Sequence, residues 1–504
     1  MRRTSFTIIL IFITFGFIKP KIGYAFRADI LWYLGEGHQS YTGSEQARLN
    51  ELEDEGFSYE KITSSKPNYG GASQFVIDGK LQYPNGQPRY GMILIGGGSS
   101  SRYYDGRPES ECESGSQKFC GPGLKSTGRA KMRNFIDKGG NYVGMCAGAF
   151  FASERYYCNW NENSSCGAKG KYLDIWHGIT NSHGVGPFSI RHYLNQSHPL
   201  NSGWGSYVDR VFFNGGCDLT PKTQSTPAGY VPSGTEKIAD FSTDASQCFN
   251  ADTGQVNPSG CSQLYTPYYD TPKMAIISYQ KRTDTGRIVI SGSHPEGKSF
   301  FDSMVKYALA NKPPDIINQL KDGIAVTADL NAGETLQSNH YYKIGDKQYH
   351  YYSITIPGSQ NIKLAVALTN NSADNDLYVR KGNLPSDKNY DYKSTNSEMS
   401  DENVTVASAS AGVWFIAVQA WSDRWEGNSY TIRAGLSEAA SPTPPGHCSP
   451  VGDIDCSGKV NGNDFGDLVS DWKTNNLRSD LNDSGEVNAT DAARLFINYQ
   501  NQKR

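Results

Sequence analysis

Apolar and polar positions follow two different rhythms along this chain, and the change of rhythm divides it. Between Asp29 and about Leu309, compact apolar runs alternate with stretches of helical spacing. Ile30–Leu34 reads as a strand that ends at Gly35, and Gln46–Glu55 as a helix. Tyr90–Ile95 is a continuous apolar strand running into Gly96-Gly97-Gly98. Arg129–Lys138 reads as helix, Asn141–Met145 as strand, Ala147–Tyr156 as helix and Arg287–Ser291 as a late strand. Strand, glycine turn, helix, strand predicts an α/β domain on a parallel sheet. Functional loops in such folds sit at the carboxyl ends of the strands.

From about Gly323 to Leu436 the period shortens to two. Tyr351–Ile356, Ile362–Leu368, Asp376–Arg380, Val404–Ala407, Val413–Val418 and Ser429–Ala434 are short alternating runs separated by Asn, Gly and Asp. Their spacing predicts an all-β sandwich. Ser437–Pro450 contains Ser-Pro-Thr-Pro-Pro-Gly and reads as a semi-rigid linker. The chain is therefore multidomain, with units at 28–310 and 323–436, a linker at 437–450 and a tail at 451–504.

The N-terminus adds a compartment. Arg2 and Arg3 precede an apolar run from Phe6 to Ile18, and Gly23-Tyr24-Ala25 offers small residues to a signal peptidase. This predicts a secretory leader over residues 1–25. The run is too short to span comfortably, since a spanning helix needs ~20 apolar residues. A secreted or extracytoplasmic protein of bacterial type, periplasmic or at the cell surface, is expected, with no membrane span once mature. The ten cysteines fit that compartment. Cys112/Cys120, Cys158/Cys166, Cys248/Cys261 and Cys448/Cys456 are close pairs suited to loop disulfides, which leaves Cys146 and Cys217. A net charge of −3 gives no electrostatic footprint for nucleic acid.

The tail holds two matching segments, Asp453–Asp464 and Asp480–Asp491. Each places oxygen side chains at loop positions 1, 3, 5, 9 and 12 and Gly at position 6, as an EF-hand loop does for a hard cation. The expected ligands of two calcium ions are Asp453, Asp455, Ser457, Lys459, Asn461 and Asp464, then Asp480, Asn482, Ser484, Glu486, Asn488 and Asp491. Lys459 and Glu486 would act through their backbone carbonyls. A helix is expected after each loop, over Phe465–Trp472 and Ala492–Tyr499. Asp at position 12, the duplication and the C-terminal place resemble a type I dockerin, a small α module that folds on calcium. That resemblance implies a cohesin-like protein or cell-surface component as partner. The middle unit, through Asp374-Asn-Asp-Leu-Tyr-Val-Arg380 and Ala411-Gly-Val-Trp-Phe-Ile-Ala-Val418, resembles the bacterial pre-peptidase C-terminal domain, which is non-catalytic.

Candidate chemistry lies in the first unit. Gly144-Met-Cys-Ala-Gly148 follows a strand and opens a helix, the elbow geometry that exposes a nucleophile. Ser293-His294-Pro295-Glu296, after another strand, supplies a base and an orienting carboxylate. The backbone amides of Gly97, Gly98 and Ala147 can face a developing oxyanion. These residues, with Gly139–Ala149, Phe213–Gly216 and Gly292–Glu296, resemble a class I glutamine amidotransferase-like domain of the biotin-protein ligase N-terminal type. The resemblance implies a flavodoxin-like sheet and a catalytic set of Cys146, His294 and Glu296. Asn214, Gly215 and Gly216 are expected to bind substrate.

Nothing resembles the biotin-transferring catalytic domain, and no synthetase accompanies the unit. Hydrolysis of a small amide or peptide through a thioester is the first expectation. Two others stand beside it: a catalytically silent ligand-binding protein, using Asn214–Gly216 and Trp176–Ser182, and a dockerin-borne component of a polysaccharide-degrading assembly. If Cys217 lies near Cys146, a disulfide between them would silence the site.

Overall fold

The computed structural model describes residues 27–502 apart from 39–41, 64–70, 109, 111–119, 159–169, 183, 220–230, 266–272, 312–316, 332–333, 359–361, 422–425, 439–447, 449, 475, 477–478, 483 and 485. The predicted leader, most of the linker, Cys112 and Cys166 fall outside the described residues.

Strands β1 (Ala28–Leu34), β3 (Tyr90–Ile95) and β4 (Asn141–Met145) form because their apolar runs are covered on both faces, while β2 (Tyr59–Thr63) is an edge strand that buries only Ile62. Alternate residues serve two cores. Leu31, Tyr33, Ile93 and Ile95 point into one, and Ile30, Trp32, Leu34, Met92 and Leu94 into the other. Helices α2 (Ala72–Ile77), α3 (Ser100–Asp105), α4 (Lys125–Asp137) and α5 (Ala147–Ala152) supply Phe75, Tyr103, Phe135 and Phe151 to the first core. Helix α1 (Thr42–Asp54) supplies Leu49 and Leu52 to the second.

The sheet departs from the parallel expectation, because it is mixed. Five more strands of this sheet are β7 (Phe188–Leu194), β8 (Tyr207–Phe213), β10 (Thr235–Phe241), β11 (Cys248–Asn250) and β12 (Met274–Tyr279), with β13 (Ile288–Ser291) between β12 and β4. The order runs β11-β7-β10-β12-β13-β4-β3-β1-β2, with β8 on β7. Pairing is parallel from β2 to β13 and antiparallel beyond. The connection 280–287 between β12 and β13 is too short for a parallel crossover, so the chain turns back as a hairpin.

A second correction concerns the helix expected over Ala147–Tyr156. It stops at Ala152, and β5 (Arg155–Cys158) instead pairs in parallel with β6 (Ile179–Ser182), which pairs with β9 (Cys217–Asp218). Aromatic and polar residues at 155–158 favour a pleated strand once a partner edge is present. Helix α6 (Ser262–Tyr265) follows the Cys248–Cys261 disulfide, and α7 (Phe300–Leu309) buries Phe301, Met304 and Val305 in the second core.

The β-rich region is two five-stranded sheets around one core. One sheet orders Ile317–Gln319, Tyr349–Ile356, Gly412–Ala420, Asn375–Lys381 and Tyr392–Ser394. The other orders His340–Tyr342, Ala325–Leu330, Tyr430–Glu438, Ile362–Thr369 and Glu402–Ala409. Leu364, Val366, Ile354, Leu377 and Ile416 meet between them. In the tail, α8 (Gly462–Ser470) and α9 (Ala489–Gln502) begin within the acidic loops rather than after them, because Asn461 and Asn488 accept hydrogen bonds from the amides of Asn463 and Thr490. No described helix is long and apolar enough to cross a membrane.

Asp346 joins the first two units. Its carboxylate meets Arg27 and Arg89, its carbonyl accepts from the Tyr83 hydroxyl, and Gln348 bonds Gln87 nearby. Asp346 and Arg89 are almost fully buried. Asp346→Ala strands buried positive charge and is expected to destabilise the junction by about 3–5 kcal/mol. Urea unfolding, with proteolysis near residues 312–316 as a second readout, checks this; an unchanged midpoint would contradict it.

Candidate active site

Cys146 stands at the turn between β4 and α5 with φ 50° and ψ −107°, a conformation that costs a non-glycine residue about 1–3 kcal/mol. The turn is possible because its neighbours lack side chains. A Cβ on Gly148 would lie 2.3 Å from the Ile95 carbonyl oxygen, and one on Gly144 would lie 2.8 Å from Gly148. The Cys146 amide donates to the Ser291 carbonyl at 2.8 Å, which ties the elbow to the end of β13.

Three residues beyond β13, His294 is held by its own backbone. Its amide donates to the Phe212 carbonyl at 2.9 Å, and its ring lies 5.6 Å from that of Phe212. His294 Nδ1 is 2.7 Å from Glu296 Oε1, and the ring lies close enough to the Cys146 side chain to interact with its charge. Burial opposes the imidazolium, but Glu296 and Cys146 outweigh it and raise the pKa well above the ordinary value. The structure thus brings Cys146, His294 and Glu296 into one chain of contacts, each buried.

The other expected residues border the same point. Gly97 and Gly98 follow β3, and this loop abuts the start of α5, where the Gly148 amide donates to the Gly96 carbonyl at 3.2 Å. Ala147 opens α5, so its amide is among the donors that a helix start leaves without an intrahelical partner. The Asn214 carbonyl lies 3.8 Å from Cys146 Sγ. Gly215 and Gly216 continue that loop, and a Cβ on Gly216 would strike the Gly292 carbonyl at 1.9 Å. Trp176, by contrast, is buried with its Nε1 donating to Thr235, so it offers no face to a ligand. Cys217 and Cys146 are both buried free thiols, without a disulfide between them.

The sequence reading missed a group of buried acids and bases behind the triad. Gly35-Glu36-Gly37-His38 at the carboxyl end of β1 was the available signal. His38 is fully buried, 3.8 Å from Glu45, and burial with the nearby Lys61 and His294 charges pushes its pKa down to about 3. Glu45 Oε2 accepts from Trp32 Nε1 at 2.9 Å, while its Oε1 lies against Gly96. Burial, reinforced by the Glu296 charge, pushes Glu45 up to about 8. Glu36 accepts from Ser73 and is raised by burial. Glu45 is therefore a neutral acid at neutral pH.

In the tail, the two loops repeat one hydrogen-bond scheme. The Ser457 and Ser484 amides donate to Asp453 and Asp480 Oδ1 at 2.8 and 3.0 Å. The Asn461 and Asn488 amides donate to Asp464 and Asp491 Oδ2 at 2.7 and 2.8 Å. Each serine hydroxyl reaches the carbonyl of Lys459 or Glu486. Carboxylate oxygens of Asp453, Asp455 and Asp464 all lie within 4.8 Å of one another. Asn482 faces Ser484 as Asp455 faces Ser457. The carboxylate, hydroxyl and carbonyl oxygens of each loop gather around its turn, which suits a hard cation.

Two family models match parts of this chain. Residues 115–190 match the one described as biotin-protein ligase, N terminal, and residues 348–420 the bacterial pre-peptidase C-terminal domain. The first match spans the Cys146 elbow and stops short of His294 and Glu296. No curated protein matches the chain. Among solved structures, a GMP synthase-type protein of Thermoplasma acidophilum is 12% identical, covering 56% of this chain and 95% of its own, with a TM-score of 0.28. A ThuA-like protein of Bacteroides uniformis is 11% identical, covering 57% and 91%, with a TM-score of 0.32. The pre-peptidase C-terminal domain of a Bacillus anthracis collagenase is 13% identical, covering 24% and 96%, with a TM-score of 0.17.

The raised pKa of Glu45 makes stability depend on pH. Between its ordinary value of 4.5 and about 8, the folded chain keeps a proton that the unfolded chain releases. The stability carried by this group is complete below the lower value and is lost as pH rises through the higher one. Glu45→Gln, neutral at every pH, is expected to flatten that decline. Unfolding curves across this range decide it, and equal pH slopes for both proteins would be the contrary result.

Proposed function

We propose that this chain is a secreted cysteine hydrolase acting on a small amide or peptide. The observation that carries the reading is the strained Cys146 elbow set beside His294, which Glu296 holds at 2.7 Å. The Cys146 thiolate attacks the carbonyl carbon and a C–S bond forms. The amides of Gly97, Gly98 and Ala147 receive the oxyanion, and loop 214–216 holds the substrate. As the C–N bond breaks, the His294 imidazolium gives its proton to the leaving nitrogen. Water then attacks the thioester, His294 takes a proton from it, and the C–S bond breaks to release a carboxylic acid and the thiolate. The disulfides Cys248–Cys261 and Cys448–Cys456 support an oxidising compartment.

We also infer that the tail is a dockerin-like module holding two calcium ions. Asp453, Asp455, Ser457, Asn461 and Asp464 with the Lys459 carbonyl would hold one. Asp480, Asn482, Ser484, Asn488 and Asp491 with the Glu486 carbonyl would hold the other. Calcium would neutralise the carboxylates that now face one another and fix both loops. A cohesin-like or cell-surface partner follows from that reading.

Two experiments test these statements. Cys146→Ala is expected to abolish both turnover and labelling by a thiol-directed acyl probe, as followed by intact mass. Equal labelling of the variant would sink the hydrolase reading. Calcium added to the chelated full-length protein is expected to raise hydrogen-exchange protection at residues 451–502, and Asp464→Ala to remove the gain in the first loop. Protection indifferent to calcium would exclude the site.

A further inference from the structure

A cavity of about 300 Å³ adjoins the triad and is bordered by Ser44, Arg210, Phe212, His294, Glu296 and Lys298. It touches His294 and Glu296 but not Cys146. Two of its side chains are cationic, and Oε1 of its one carboxylate is taken by His294. Among the described residues neither Arg210 nor Lys298 has an ion-pair partner. The nearest acid on the same strand, Asp209, is taken by Arg191 at 3.1 Å.

The backbone aims Arg210 deliberately. Ile190 pairs with Val211 and His192 with Val208, so Asp209 and Arg210 together oppose the single residue Arg191. This bulge puts Arg210 in the left-handed region, at φ 51°. Bulges re-aim side chains and are frequent beside functional sites. The guanidinium lies 4.7 Å over the Phe249 ring, which orients its fork without neutralising it. Phe212, two residues on, carries the carbonyl that fixes His294. Strand β8 therefore delivers the base's anchor and the cation together.

We propose that Arg210 and Lys298 form a subsite for a carboxylate on the leaving-amine half of the substrate. This deepens the hydrolase reading and rests on it. The acyl half must sit between Cys146 and the 97–98 loop. The departing nitrogen must face His294 to receive its proton, so the part of the substrate beyond that nitrogen enters the cavity beside His294. A guanidinium fork with a neighbouring ammonium selects a carboxylate there. The substrate class is an N-acyl amino acid or a peptide cleaved next to a free carboxylate. An amide that releases only ammonia leaves the cavity empty.

Calorimetric binding to the full-length chain carrying Cys146→Ala tests this without requiring turnover. The probes are N-benzoylglycine and N-benzoylglycinamide, which differ only in the charge. N-benzoylglycine is expected to bind about tenfold more tightly, as a charge-assisted contact allows. That ratio is expected to fall to about one in Arg210→Ala/Lys298→Ala and to survive in part in Arg210→Lys, which keeps the charge. Equal binding of the two probes, a ratio indifferent to the substitutions, or no binding of either overturns the subsite. Failure of Cys146 labelling would instead overturn the hydrolase reading, so the two outcomes remain separate.

Discussion

Cys146 and His294 meet because three backbone segments pack without side chains between them. The end of β4 pairs with β13 through Gly144 opposite Ile290 and Met145 opposite Ser291. The Cys217 amide donates to the Gly292 carbonyl at 3.1 Å, and a Cβ on Gly292 would lie 1.8 Å from the Cys217 carbonyl. Gly216 and Gly148 are equally crowded. Any side chain at these glycines would push the elbow, the 214–217 loop and the His294 loop apart. The nucleophile, its base and the loop beside them therefore depend on one close backbone junction.

Around that junction, burial sets the charges. His294 lies between Glu296 and Cys146, and both favour its protonated form. Glu45 answers the Glu296 charge by staying neutral, and His38 stays neutral beside His294. The protonated His294 is thus flanked by titratable groups that burial has switched off. A second buried charge in this space would go unpaired, which is the costlier arrangement.

Particular elements show how far the pattern of residues reached. Tyr90–Ile95 and Asn141–Met145 are read from their apolar runs with the bounds the structure gives them. Val460 and Val487, which stand at position 8 of the two acidic loops, share the small core of the tail. The helix expected through Tyr156 ends at Ala152, because the residues after it find strand partners some twenty positions and more away. The antiparallel half of the sheet was likewise hidden, since strand direction follows from connections rather than from composition. Glu45 was hidden for a related reason. It reads as an ordinary first-turn acid of a helix until that helix is laid against the His294 loop.

The sequence by itself determined the chemistry available: a cysteine between small residues, a His-Pro-Glu, a glycine run and a doubled acidic loop. Each is a local feature, carried by residue type and short spacing, and local backbone preference is enough to express it. Tertiary structure alone decided which of these features meet. It set Cys146 against His294 across the β4–β13 pairing, kept Cys217 a free thiol, buried Glu45 behind Glu296 and turned Arg210 toward the cavity. Those outcomes depend on desolvation and on contacts between distant segments, and neither quantity is defined until the chain has folded.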